Sequence, residues 1–437
     1  MESSIDNQLF EQRQFSFSFK AILINVLIGI LVSLYYFPFE FTFLPRGLNT
    51  KIMLAGLGIF VLAYNCIRQR CITVNKGLVP AIILALIFSL LGYISMDINL
   101  STDSSYANYF VSFGTWLLGA YTVIELMKIV YHKVSFTLLI NYLVGICVVQ
   151  CFLALLIDNN LQVKTFVDAY IAQDTIASVE VLNKINRLYG IGAALDVAGT
   201  RFSIVLLGLA VVLRNLNLRN PRLGAISIYW GTFIIIGGIG NMISRTTTVG
   251  IVLALTYLMA TSISWKIEIT RSSIKYWLTI FLITVLLISV GVYLYNTDDT
   301  FHDQVRFGFE GFFNWYETGE WTTDSTERLN GVMWIWPAAN DYKTWIIGKA
   351  TFDNWYAVGT DIGYCRFVFY NGLLGLITFS LFFVYNAWAG IKKFPNYKLF
   401  FLILLSLSFI IWLKVATDLF LIYALFYCLD SEEVINA

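Results

Sequence analysis

Apolar stretches of about 20 residues recur along the whole of this chain, and a helix of that length crosses roughly 30 Å of hydrocarbon. No other feature narrows the fold so far. Repetition from end to end excludes a protein held by a single anchor. The stretches are apolar throughout instead of alternating with polar residues, which excludes a transmembrane barrel. Inside a bilayer, a helix satisfies its backbone N–H and C=O groups within the segment itself. The chain therefore reads as all-α, a polytopic integral membrane helical bundle, with residues 1–437 forming a single membrane domain. Charged residues make up only 13% of it, against about 25% in soluble domains. A net charge of +1 gives no reason to expect nucleic acid or a strongly acidic partner.

Spans are read at about 20–37, 52–66, 77–96, 106–124, 135–157, 199–213, 223–243, 246–265, 276–295, 362–386, 398–413 and 417–429. Lys414 and Asp418 interrupt the last apolar stretch, so the count is about twelve transmembrane helices, or eleven if that stretch is one. The first run, Ala21–Phe37, has no small-residue cleavage site behind it and reads as a retained span. Loops on one side carry Arg68, Arg70, Lys76, Lys128, Lys133, Arg214, Arg219, Arg222, Lys266, Arg271, Lys275, Lys392, Lys393 and Lys398. Short turns on the other carry little beyond Arg46, Lys51, Arg245 and Lys414. The positive-inside rule then places both termini in the cytoplasm. Six cysteines show neither a disulfide framework nor metal spacing. With only His132 and His302 in the chain, no histidine-built metal site is expected.

Two outer segments, 158–198 and 296–361, are too long to be mere connectors and too apolar for disorder. In the second, Asp324-Ser-Thr-Glu327 reads as a capping box. Leu329, Val332, Met333 and Trp336 follow at helical spacing until Pro337 stops the run. Glu327 is a cap or a catalytic acid, and Arg328 a surface ion pair or a ligand contact. Aromatic residues such as Phe312, Trp315, Trp321, Trp334, Trp336 and Trp355 crowd this loop, as a sugar platform or as an interfacial belt. Acids outnumber bases there, and carboxylates accept hydrogen bonds from hydroxyls.

Arg245 sits in a hairpin turn between two apolar segments, Leu223–Ile243 and Thr246–Trp265. A guanidinium near a bilayer is costly and marks a functional site by default. Counting spans puts this turn, Arg187 and Arg328 on one outer face, a site for an anionic group such as a lipid-linked pyrophosphate. Thr175–Leu188 has helical character, with Glu180 and Lys184 at i, i+4. It leads into Arg187-Leu-Tyr-Gly190-Ile-Gly192, whose glycines let backbone approach a bulky anion. Arg201, at a span boundary, snorkels or serves as a secondary contact. Asp361 begins a span as general base, N-cap or both. Arg366 is its ion-pair partner or a further ligand contact, and His302 is exposed in the loop.

Taken in order, Arg187-x-x-Gly190, Ser244-Arg245-Thr246 and Ser325-Thr-Glu327-Arg328-Leu329 resemble the O-antigen polymerase and ligase superfamily of bacterial envelopes. Ile346-Ile-Gly348 with Phe352 is similar to the family's Gly-rich stretch. Asp361-Ile-Gly-Tyr364 before Gly372-Leu-Leu-Gly375 resembles its final element. Asp361-Ile362 stands where ligases have a His-Asn pair, which resembles the polymerases instead; Asp196-Val197 departs from the Pro-Asn of many members. The resemblance implies a multi-span helical fold in the bacterial inner membrane with a periplasmic site. It implies lipid-diphosphate substrates and no metal, cofactor or nucleotide sugar. The implied reaction joins a hydroxyl of one undecaprenyl-pyrophosphate-linked oligosaccharide to the anomeric carbon of another, with a chain-length regulator as a partner. Arg187, Arg245 and then Arg328 would stabilise the departing pyrophosphate, with Asp361 or Glu327 as base. A ligase, or a flippase or transporter of lipid-linked sugars, is the alternative. Long outer loops, few charges within spans and no internal repeat disfavour the transporter.

Overall fold

The computed structural model describes residues 19–70, 76–173, 187–218, 223–262 and 271–430. The chain opens with helix α1 (Phe19–Tyr36) and a short strand β1 (Phe39–Phe41), then α2 (Thr50–Gln69), α3 (Val79–Asn99), α4 (Tyr109–Tyr131) and α5 (Phe136–Asn159). The first long loop holds α6 (Leu161–Tyr170) and β2 (Ile171–Gln173). Then come α7 (Leu195–Leu218), α8 (Leu223–Ile243), α9 (Thr247–Ser262) and α10 (Arg271–Thr297). The second long loop folds as α11 (Asp299–Gly308), α12 (Glu310–Thr318), α13 (Asp324–Val332), α14 (Tyr342–Ile346) and α15 (Trp355–Val358). The last helices are α16 (Gly363–Lys393), α17 (Lys398–Ile411) and α18 (Phe420–Cys428).

Every apolar run read in the sequence thus carries a helix, and the chain is an all-α, membrane-embedded bundle. Among the described residues, nine helices are long and apolar enough to cross a membrane. The helices α9, α17 and α18 are shorter, at 16, 14 and 9 residues. Lys414 and Asp418 fall in the non-helical stretch between α17 and α18, so the last apolar run is two helices. The helix read over Thr175–Leu188 lies largely outside the described residues.

The centre of the bundle is α7, whose residues Ile204–Leu207 and Leu209–Leu213 are buried on every side. It meets α9 almost backbone to backbone. A Cβ on Gly250 would lie 2.3 Å from Ser203 Cα, and one on Gly199 would lie 2.6 Å from Ser244 Oγ. Small residues permit such approach where apolar burial supplies no drive between helices. The Ser203 hydroxyl closes the contact by donating to the Thr246 carbonyl at 3.0 Å. From α1, the Tyr36 hydroxyl donates to the Arg201 carbonyl at 2.9 Å, and that of Tyr35 to the Leu421 carbonyl at 2.8 Å.

Two features were not expected. β1 and β2 pair antiparallel, with Phe39 opposite Gln173 and Phe41 opposite Ile171, and tie the first long loop to the end of α1. Three-residue strands carry no periodicity for a pattern argument to find. The other feature is a break inside α16, where Gly372 takes φ 66° and ψ −169°. The chain around Gly348 lies against this break: Lys349 N–H donates to Phe369 O at 2.6 Å and Ala350 N–H to Tyr370 O at 3.0 Å. A Cβ on Gly372 would sit 2.2 Å from the Ile346 carbonyl carbon, and one on Gly348 2.2 Å from Tyr370 O. Gly348 and Gly372 are both required by this backbone contact.

Candidate functional site

The turn between α8 and α9 is pinned by hydroxyls in the first turn of α9 that reach back to the end of α8. Thr247 Oγ1 donates to the Gly240 carbonyl at 3.0 Å and Thr248 Oγ1 to Asn241 Oδ1 at 2.6 Å. The Asn241 amide in turn donates to the Gly308 carbonyl at 2.5 Å, docking the end of α11 on the end of α8. That docking places Phe307 beside Arg245. The Arg245 guanidinium carbon is 4.2 Å from the Phe307 ring centroid, and that of Arg187 is 4.7 Å from the same centroid. Two arginines more than fifty positions apart thus share one phenyl ring, their guanidinium carbons within about 9 Å of each other.

Beside them, Asp196 at the start of α7 gathers a polar knot. Its Oδ1 accepts from Lys414 Nζ at 2.7 Å, Thr246 Oγ1 at 2.6 Å and Ser244 Oγ at 3.2 Å. Arg245 pairs with Glu310, whose other oxygen accepts the Asp324 backbone N–H at 3.1 Å. Burial pushes the Arg187 guanidinium below its ordinary range; Asp196 opposes this and the Arg245 charge adds to it. Three cations therefore face two carboxylates, leaving one net positive charge. A cavity of about 280 Å³ opens here, lined by Arg245, Lys414, Thr246, Thr248, Thr323, Ser325 and Thr326 on its polar side. Phe309, Phe312, Trp321, Val249, Leu329 and Ile410 make its apolar wall. Cations and hydroxyls suit phosphoryl oxygens, and the wall suits a hydrocarbon or sugar face.

The structure unites Arg187 and Arg245 but not the other expected members. Arg328 is exposed, and its helix turns Ser325, Thr326 and Leu329 toward the cavity instead. Asp324 is not the N-cap of α13. Thr323 is, in extended conformation, its hydroxyl accepting from Thr326 N–H at 3.1 Å. With Thr323 as the cap, the residue three positions on is Thr326, whose hydroxyl lies 2.8 Å from that of Thr323, so Glu327, which is exposed, does not close a capping box. The run does not continue to Trp336. The helix stops at Val332, because Met333 turns into a small core with Ile362 and Cys365 and its carbonyl is taken by the Thr360 hydroxyl.

Asp361 is not an N-cap either, since Ile362 holds that position without a side-chain bond. Its Oδ1 accepts from Trp355 Nε1 at 2.8 Å, and it lies outside the cavity lining. It remains near the same break in the bundle: a Cβ on Gly363 would lie 2.8 Å from Val415 O, one residue from Lys414. Arg366 does not pair with Asp361. It donates to the Phe352 carbonyl and lies 3.8 Å from that ring's centroid. Arg201 does not snorkel but is buried, with Nη1 3.5 Å from the Gly192 carbonyl. Gly190 makes room for protein and not for a ligand, because its Cβ would meet Gln150 Oε1 at 2.4 Å. Gln150 grips the next residue from both sides, donating to Ile191 O and accepting from Ile191 N–H, each at 2.9 Å. His302 is partly exposed and stacks near Tyr295 at 4.3 Å.

Sequence reading missed Phe307, Glu310, Asp196 and Lys414 as parts of one centre. Lys414 was visible as a cation interrupting an apolar run, which is the one signal that pointed to it. Compared with known proteins, the chain matches no family model, no curated protein and no solved structure at a significant level.

Proposed function

We propose that this chain is a polymerase of lipid-linked oligosaccharides in a bacterial inner membrane, working on the periplasmic face in O-antigen or related surface polysaccharide synthesis. The observation carrying the reading is the meeting of Arg187 and Arg245 at one ring, with Arg245 also lining a mostly apolar cavity that carries Lys414 and several hydroxyls. In the proposed reaction an acceptor hydroxyl attacks the anomeric carbon of the donor glycan. The bond to the undecaprenyl pyrophosphate breaks, and the pyrophosphate leaves with the electron pair. Charge grows on the leaving oxygen, and guanidinium groups fixed beside it stabilise that charge more than the ground state. The planar fork of arginine binds phosphate bidentately, which a lysine does not do.

The Glu310 carboxylate holds the Arg245 fork in place without a ligand, and Asp196 with Lys414 fixes the turn that carries it. Such support lowers the reorganisation needed when substrate arrives. Asp361 lies outside this cavity, so assigning it the hydroxyl proton requires the acceptor glycan to extend beyond the cavity to the carboxylate that the Trp355 indole orients. The test is the surface glycan of a strain lacking the protein, complemented by wild type or by arginine variants. Loss of long chains with a single repeat unit retained is expected. Loss of all attached glycan would point to a ligase or flippase instead.

A further inference from the structure

The end of the bundle remote from the arginines holds a second cavity, of about 430 Å³. It lies between the last turns of α16, the residues just before α3, and the end of α18. Its walls include Trp388, Tyr385, Phe394 and Phe426, and Lys76 and Lys392 also line it. Neither of these lysines has an ion-pair partner among the described residues. The Lys392 ammonium rests 3.8 Å from the Trp388 ring centroid. A third lysine is already committed: Lys393 Nζ donates to Phe426 O at 3.1 Å, Tyr427 O at 2.8 Å and also Leu429 O, capping α18. The nearby Asp430 is held by Lys128 at 3.2 Å and does not neutralise the other two. The Tyr427 hydroxyl, on a lining residue, is buried with no hydrogen-bond partner among the described residues.

The cavity continues onto the outside of the bundle. Ile377, Leu381, Val384 and Trp388 are all well exposed and follow at helical spacing along one face of α16. That apolar stripe ends at Trp388, where the cavity begins. A ligand matching both parts has an anionic head and a hydrocarbon tail. We infer that this cavity holds the headgroup of an anionic phospholipid, with an acyl chain along the α16 stripe. Two uncompensated lysines select against a zwitterionic head, whose own cation they repel. The stripe selects against a soluble anion.

The test uses the purified full-length protein in detergent, titrated with phosphatidylglycerol, with phosphatidylcholine of the same chains, and with glycerol phosphate alone. Binding is followed by native mass spectrometry and melting temperature. Phosphatidylglycerol is expected to be retained and to raise the melting temperature, with little effect from the other two. Each juxtamembrane lysine strengthens anionic lipid binding about fivefold, so Lys76→Gln with Lys392→Gln should weaken it about 25-fold. If that double variant is not monodisperse, Lys392→Gln alone should lose about fivefold. Equal retention by the variant, or equal binding of phosphatidylcholine, would overturn the inference. A full shift from glycerol phosphate would overturn it too, by making this a soluble-anion site.

Discussion

Among the described residues, the Arg245 guanidinium is held by the Phe307 ring and the Glu310 carboxylate. Its replacement therefore mixes structural and catalytic losses, and the choice of variant has to separate them. Arg245→Ala and Arg187→Ala should each lower glycan chain extension on the order of 100- to 1,000-fold, the usual cost of removing one donor to developing charge. Arg245→Lys keeps a cation for Glu310 but loses the fork; activity should fall about 10- to 100-fold with an unchanged melting temperature. A restored wild-type rate in Arg245→Lys would reduce the role to simple charge. Asp196→Ala strands Lys414 and unties Thr246 and Ser244. A dry pair broken this way costs about 3–5 kcal/mol. About a quarter of each side chain stays exposed here, so the loss should be on the order of 1–2 kcal/mol, measured by thermal unfolding in detergent. Asp361→Asn should reduce turnover far more than Glu327→Gln, because Asp361 is oriented by the Trp355 indole whereas Glu327 is exposed and has no side-chain hydrogen bond or ion pair among the described residues. Equal mild losses would remove both from the proton-transfer step.

Among the elements, legibility followed length. Runs of about 20 apolar residues all gave helices, since a bilayer leaves the backbone few alternatives, although some ran past the reading, to Tyr131 instead of 124 and to Lys393 instead of 386. The one helix read in the second loop was misplaced at its start because a cap is decided by one residue. Thr323 and Asp324 are both good N-caps by type, and only the carboxylate of Glu310 reaching Asp324 N–H shows which residue is free to act. Arg187 and Arg245 were legible as a pair because counting spans puts both on one outer face, Arg245 in a turn between two apolar segments and Arg187 in the first long loop ahead of Gly190 and Gly192. Glu310 and Phe307 were not, because an acid and a phenyl among many such residues carry no mark of their position. Gly372 shows the opposite case, where a motif glycine has a measurable structural duty. Gly372→Ala puts a side chain at positive φ, costing about 1–3 kcal/mol, and adds a collision with the Ile346 carbonyl. It should lower the melting temperature, whereas Gly145→Ala, which meets nothing within 4 Å, should not. Matching behaviour of the two would mean that the contact between α16 and the Gly348 loop is dispensable.

On the scale of the whole molecule, two remote ends of one bundle carry different chemistry. At one end, four separate segments (the loop before α7, the α8–α9 turn, α11 with the start of α12, and the α17–α18 break) bring Arg187, Arg245, Phe307, Glu310 and Lys414 into one polar centre. At the other end, aromatic walls and two lysines without an ion-pair partner among the described residues border the exposed face of α16. Such convergence from positions 187 to 414 is a property of the tertiary fold that no local motif encodes. The most direct test is chain extension by purified protein given an undecaprenyl-pyrophosphate-linked oligosaccharide, with a metal chelator present. Wild type should build a ladder of longer glycans, and Arg187→Ala and Arg245→Ala should each slow it on the order of 100- to 1,000-fold while melting as folded proteins. An unchanged ladder from either variant, or none from folded wild type on intact substrate, would contradict the assignment.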